Sequence, residues 1–157
     1  IAEQAENDRQ HFGHKEDIPL MSNCTQKEFL AHTAINSTRL LGVEGIITDS
    51  ETGETARNLA SFRGPKPILA ICYKEKTQRW LNLSYGVIPV YQKEHQNADF
   101  MFLAALRMLR QKGYLTDDDK VAYLSGSLGE GGGTTFVEIN QVKKAFDEKY
   151  QFHLPKV

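Results

Sequence analysis

The stretch Gly45–Gly64, GIITDSETGETARNLASFRG, decides the fold. A short apolar run, Ile46-Ile47, leads into a polar loop, Thr48-Asp49-Ser50-Glu51-Thr52-Gly53. A helical pattern follows, with Ala56, Leu59, Ala60 and Phe62 on one side, and Gly64-Pro65 stop it. Strand, polar loop and helix in that order open a βαβ unit. The loop lies at the carboxyl end of the strand and the amino end of the helix, where free backbone N–H groups meet the positive end of the helix dipole. Such a place accepts phosphate or another anion. Ser50, Thr52 and Thr55 offer hydroxyls, and Gly53 lets the backbone approach closely. A plainer reading of the same residues is that Ser50 or Thr52 caps the helix. With one glycine and no lysine, the loop falls short of a Walker or dinucleotide fingerprint.

Toward the amino terminus, Ser22 or Thr25 caps a helix, with Glu28 completing a capping box. Phe29, Leu30, Thr33, Ala34, Ser37 and Leu40-Leu41 recur at helical spacing, and Gly42 ends the helix. Small residues at 31, 34 and 37 predict close packing on a sheet. Residues 1–17 are polar and acidic and read as a short exposed helix or linker. His11 and His14 lack a third ligand and read as solvated. Toward the carboxyl terminus, Pro67–Tyr73 is a continuous apolar run, the mark of a strand buried on both faces. A short helix over 76–84 follows, carried by Thr77, Trp80 and Leu81 or Leu83. The strand at 86–91 contains Pro89, which belongs at an edge. Asn97 caps a helix to Lys112 whose run Phe100–Leu106 predicts burial on more than one side. Thr116–Asp119 is a solvated turn, and a strand at 120–125 leads into the glycine loop Ser125–Gly133. That loop is too short for a helical crossover, so the final strand, 134–139, pairs antiparallel with its predecessor. A terminal helix over 140–150 presents Val142, Ala145, Phe146 and Tyr150 on one face.

The sum is an α/β fold, a three-layer α/β/α sandwich on a mixed, mostly parallel five-stranded sheet. The loops at 48–55 and 126–133 belong on one edge, because the first and fourth strands are parallel neighbours.

The totals agree with an ordinary globular domain. The chain has 157 residues, 40% hydrophobic and 25% charged, with a formal net charge of −1. That balance gives no global field to recruit nucleic acid or an anionic membrane. No apolar run reaches the roughly 18 residues of a membrane span. Nothing reads as a signal peptide. Cys24 and Cys72 have no metal or redox spacing, and Cys72 reads as a reduced core residue. These features predict a cytoplasmic protein. The first residue is Ile1 rather than Met, so a piece of a longer protein is expected.

Five segments carry a family resemblance. Ile46–Arg57 resembles the effector loop of pyruvate kinases, a strand followed by a Thr/Ser/Gly loop. Ser61–Ala70 looks like that family's Tyr-Arg-Pro…Pro-Ile-x-Ala segment. Gly86-Val87-Ile88-Pro89-Val90 resembles its Gly-Val-x-Pro strand. Ser125-Gly126 followed by Gly132-Gly133-Thr134-Thr135 is similar to its last loop, and Ile1–Glu6 looks like the helix entering the domain from a barrel. The resemblance implies the carboxyl-terminal domain of a pyruvate kinase, with sheet order 3-2-1-4-5 and the fifth strand antiparallel. It implies residues 1–22 as a connection from a barrel domain, 23–140 as the domain, and 141–157 as an added helix and tail.

The family's enzyme moves a phosphoryl group from phosphoenolpyruvate to ADP with Mg²⁺ and usually K⁺. The resemblance puts its catalytic residues outside this chain and no cofactor in this domain. It also implies a small-molecule effector site at Ser50, Thr52, Gly53, Thr55, Gly132, Gly133 and Thr134, and a tetrameric parent. Departures at Glu54 and Met101, with Glu51 and Glu130 adding negative charge near the loops, predict weak or no fructose bisphosphate binding. The rival readings are a stand-alone flavodoxin-like phosphate-binding domain or enzyme, and an interaction module with no small ligand.

Overall fold

The computed structural model describes residues 22–93, 98–126 and 133–151, with backbone alone at 98–101 and 147–151. The expectations placed on residues 1–21, Asn97, Glu130, Gly132 and residues 152–157, and on the side chains of Met101 and Tyr150, lie outside that description.

The chain runs α1 (Gln26–Leu40), β1 (Gly45–Ser50), α2 (Glu54–Ser61), β2 (Ile68–Cys72), α3 (Glu75–Leu81), β3 (Val87–Tyr91), α4 (Ala98–Gln111), β4 (Lys120–Ser125), β5 (Phe136–Gln141) and α5 (Val142–Gln151). The sheet has order β3-β2-β1-β4-β5. Its first three pairings are parallel and β4–β5 is antiparallel, as the short glycine loop requires. Because side chains alternate across a strand, β1 and β4 feed two cores. Ile46, Ala122 and Leu124 pack with α1, α2 and Leu81 of α3 on one face. Ile47, Val121 and Tyr123 pack with α4 and α5 on the other. That gives three layers. All five residues of β2 are buried, which explains its uninterrupted apolar run.

α1 starts as its capping box predicts. The Thr25 hydroxyl accepts the Glu28 N–H, and the Glu28 carboxylate accepts the Thr25 N–H at 2.7 Å. It stops at Gly42, whose φ of +66° is the left-handed value that favours glycine. Its buried face differs from the apolar stripe in the sequence. Phe29, Leu40 and Leu41 are exposed, whereas Ala31, Ala34, Ile35, Ser37 and Thr38 are buried. Small side chains let the helix axis approach the sheet, and the Ser37 and Thr38 hydroxyls donate back to the Ala34 and Ile35 carbonyls. Their burial therefore leaves no donor unpaired.

Three more expectations change. β5 spans 136–141 rather than 134–139, because the six residues of β4 face Gln141 back to Phe136. Thr134 and Thr135 form the neck of the glycine loop instead. α3 ends at Leu81, which is buried, while Trp80 and Leu83 point to solvent. In α4, Phe102, Ala105, Leu106 and Leu109 are buried and Leu103 and Ala104 half-buried, so one face dominates. α5 follows β5 without a loop. Its first N–H groups are taken by the turn before β4: Val142 donates to Asp119 O at 2.9 Å and Lys143 to Asp117 O at 3.0 Å.

β3 is an edge strand, as Pro89 predicts. Ile68 N–H donates to Gly86 O and Gln92 N–H to Cys72 O. These bonds turn the even-numbered residues of β3 toward β2 and Pro89 outward, so the missing N–H costs no ladder bond.

Candidate functional site

The carboxyl ends of β1 and β4 lie side by side where the strand order reverses, the place where open α/β sheets form a crevice. The loop after β1 and the neck of the loop after β4 share this edge. Two side-chain contacts join them. The Thr55 and Thr134 hydroxyls are 3.1 Å apart, and the Ser125 hydroxyl donates to Asp49 Oδ1 at 2.7 Å. Gln26 Nε2 of α1 donates to Thr134 O at 3.4 Å.

The loop itself is closed upon its own hydroxyls. The Gly53 N–H donates to Ser50 Oγ at 2.8 Å, and the Glu54 N–H donates to Thr52 Oγ1 at 3.4 Å. Gly53 is the residue that precedes α2, and its side-chain-free backbone cannot cap the helix. Ser50 and Thr52 instead take the N–H groups of Gly53 and of the first helical residue, Glu54. Two of the N–H groups at the start of the helix are therefore engaged, in line with the plainer reading of Ser50 and Thr52. Gly53 is required for a reason the sequence hides. Its φ is +83°, and a Cβ there would meet Leu81 Cδ2 at 3.1 Å and Cγ at 3.3 Å. Its bareness serves the packing of α3 under the loop. Thr77 of α3 ties down the same loop, donating to Glu51 O at 2.8 Å.

The charges also differ from the sequence expectation of a mainly negative loop. Glu51 pairs with Lys74 at 2.6 Å and Glu54 with Lys27 at 3.0 Å. The Lys74 hydrogen bond holds the Glu51 carboxyl below the usual carboxylate range. Both acids are therefore locally neutralised by lysines 23 and 27 residues away in sequence. Asp49 is the exception. Burial pushes its carboxyl above the ordinary value, and the Ser125 hydrogen bond only partly opposes that.

The second loop is narrowed at its neck. A Cβ on Gly126 would stand 2.2 Å from Gly133 O, so the two ends of the loop touch through bare backbone. The Thr135 N–H donates to Ser125 O at 2.9 Å and seals the neck. Of the seven sequence-derived site residues, Ser50, Thr52, Gly53, Thr55, Gly133 and Thr134 gather on this edge, and Gly132 lies outside the described residues. Asp49, Ser125, Lys27 and Lys74 also belong to this edge, although the sequence alone does not place them in the site. The alternation of β1 could have pointed to Asp49, a carboxylate two residues after the buried Ile47 on the same face. Nothing local could have pointed to the lysines.

Elsewhere, Cys72 is buried beneath Leu81 and Val87, and burial raises its thiol to about 11. Among the described residues there is no group of three or more His, Cys, Asp or Glu side chains placed to hold a metal. No helix among them is long and apolar enough to cross a membrane.

The pyruvate kinase alpha/beta domain family matches residues 28–140. The pyruvate kinase of Borreliella burgdorferi is 31% identical over 148 residues, which cover 92% of this chain and 31% of the relative. That of Lactobacillus delbrueckii subsp. bulgaricus is 33% identical over 119 residues, 75% of this chain and 20% of the relative. A crystal structure of a pyruvate kinase from Cryptosporidium parvum superposes with a TM-score of 0.70 at 21% identity, over 78% of this chain and 24% of that one. The likeness in structure speaks for the fold alone. The chain spans about a fifth to a third of the length of the relatives it matches.

Proposed function

Because this chain belongs to the pyruvate kinase alpha/beta domain family, we propose that it serves as the carboxyl-terminal regulatory and oligomerisation domain of a pyruvate kinase. The domain is residues 23–140, residues 1–22 connect it to a barrel domain, and residues 141–157 are an added helix and tail. The parent enzyme transfers a phosphoryl group from phosphoenolpyruvate to ADP in the cytoplasm, as a homotetramer using Mg²⁺ and K⁺ on its barrel. The carboxyl edge around Ser50, Thr52, Gly53, Thr55, Gly132, Gly133 and Thr134 is its small-molecule effector site.

The observation that carries this reading is the family match over 28–140 on a sheet whose reversal point sets the two loops together. Phosphoryl transfer needs cations grouped around the phosphates. On this edge Lys27 and Lys74 are each engaged with a glutamate, so the edge suits binding better than catalysis. The test is an assay of the chain alone with phosphoenolpyruvate, ADP, Mg²⁺ and K⁺, coupled to lactate dehydrogenase. No turnover is expected. Turnover above background, abolished by heat denaturation of the chain, overturns the assignment of the chemistry to a separate domain.

A further inference from the structure

The carboxyl edge contains one charged group that its surroundings do not neutralise. Asp49 is the fifth residue of β1, and alternation puts it on the face of Ile47, toward α4. Ser125, the last residue of β4, lies two beyond Tyr123 and therefore shares that face. Their hydrogen bond crosses the point where the strand order reverses. Only Oδ1 is engaged in it. Among the described residues no lysine or arginine pairs with Asp49, although the acids on either side of the loop each have one. Burial opposes its charge, and among the described residues no cation offsets that. Of the donors that would serve an anion, the Gly53 and Glu54 N–H groups are taken by Ser50 and Thr52, and Lys27 and Lys74 by glutamates. Asp49 gives this edge an acceptor.

We propose that Asp49, oriented by Ser125, is the recognition carboxylate of the effector site, and that the effector it selects carries a protonated amine rather than a second phosphate. This rests on the reading of the carboxyl edge as an effector site. An ammonium supplies the cationic partner that Asp49 lacks and donates to its carboxylate, a charge-assisted contact stronger than a neutral one. A phosphate brought to the same place meets the half-buried carboxylate with like charge.

The experiment is an amide NMR titration of the whole chain with three probes: ethanolamine hydrochloride, inorganic phosphate and fructose 1,6-bisphosphate. Ethanolamine is expected to give saturable shifts at residues 49–50 and 125–126. Its affinity should fall at least tenfold in Asp49→Asn and survive in Glu51→Gln. Asp49→Asn keeps an acceptor for the Ser125 hydroxyl and removes only the charge, so its thermal midpoint at neutral pH should not fall. Ser125→Ala keeps the charge but loses the orienting hydrogen bond, so it should weaken ethanolamine binding by less than Asp49→Asn does, which leaves the idea testable if the first variant folds poorly. Ethanolamine shifts that Asp49→Asn leaves unchanged overturn the proposal and leave Asp49 a cross-strand fastening only. Saturable shifts at the same amides from phosphate or the bisphosphate overturn the amine class but keep the effector site. Silence from all three probes overturns both.

Discussion

The loop after β1 commits its hydroxyls to its own backbone, whereas the loop after β4 is drawn shut at its neck by two glycines in contact. Both stand on the same edge, one strand apart. The first is held from below, by Leu81 and Thr77 of α3, and from both sides, by Lys27 and Lys74. The second is held at residues 125–126 and 133–135 by one backbone bond, one close approach and the hydroxyl of Thr55. The difference teaches that a polar loop rich in Ser and Thr is not thereby rich in free donors. Its composition reports how many hydrogen bonds it can make, and only the fold reports which are already made.

Substitutions can break this contrast at either side. The largest effect is expected for Leu81→Ala. It empties the support beneath Gly53 from a fully buried position and should cost about 2–5 kcal/mol in urea unfolding. Loosening should extend into the loop, read as faster amide exchange at Gly53 and Glu54. Gly126→Ala comes next. The obstacle is backbone rather than a flexible side chain, so the neck must open, at a cost on the order of 1–3 kcal/mol. The Thr135 amide should then lose its protection while Gly53 keeps its own. If both amides lose protection together, the two loops are one unit and the contrast fails.

Ser50→Ala sharpens the comparison. It strands the buried Gly53 N–H, at about 1–3 kcal/mol, whereas Thr52→Ala releases a longer bond to an exposed amide and should cost less. Equal costs for the two would show that the Ser50 bond is no anchor.

The smallest effect concerns pH. Burial raises the Asp49 carboxyl above its unfolded value, so the folded state binds more protons than the unfolded state between the two values. This contribution favours the fold below the unfolded value near 3.9 and is lost as pH rises through the folded value. Asp49→Asn should remove that decline and raise the thermal midpoint at neutral pH. A lower midpoint across the whole range would show that the carboxylate stabilises the fold.

The fold was legible because its signals are local. The buried run at 68–72, the capping box at Thr25–Glu28 and the glycine after Leu41 each act within a few residues. Hydrophobicity misled where size decided. In α1, Phe29 and Leu40 look like core residues and Thr38 does not, while the small residues at 31, 34 and 37 pack on the sheet as their size predicts. The sheet accepts the small ones because they let the helix approach. β5 drifted by two residues because its ends are set by β4, its partner, and not by its own composition. The site was legible as a place and not as a chemistry. Asp49, Glu51 and Glu54 look alike in sequence. Distant lysines neutralise two of them and leave the third half-buried with a serine.

Pro89 has a consequence beyond the strand that contains it. The outward row of β3 holds the backbone of Val87, Pro89 and Tyr91. The Val87 N–H is already given to Ser84 O, and Pro89 has none to give. A visiting strand would therefore find one donor along this entire margin, too few to register against. The sheet is a ribbon with a finished hem on the β3 side. A chain that recruits or aggregates onto it by strand addition must approach from β5.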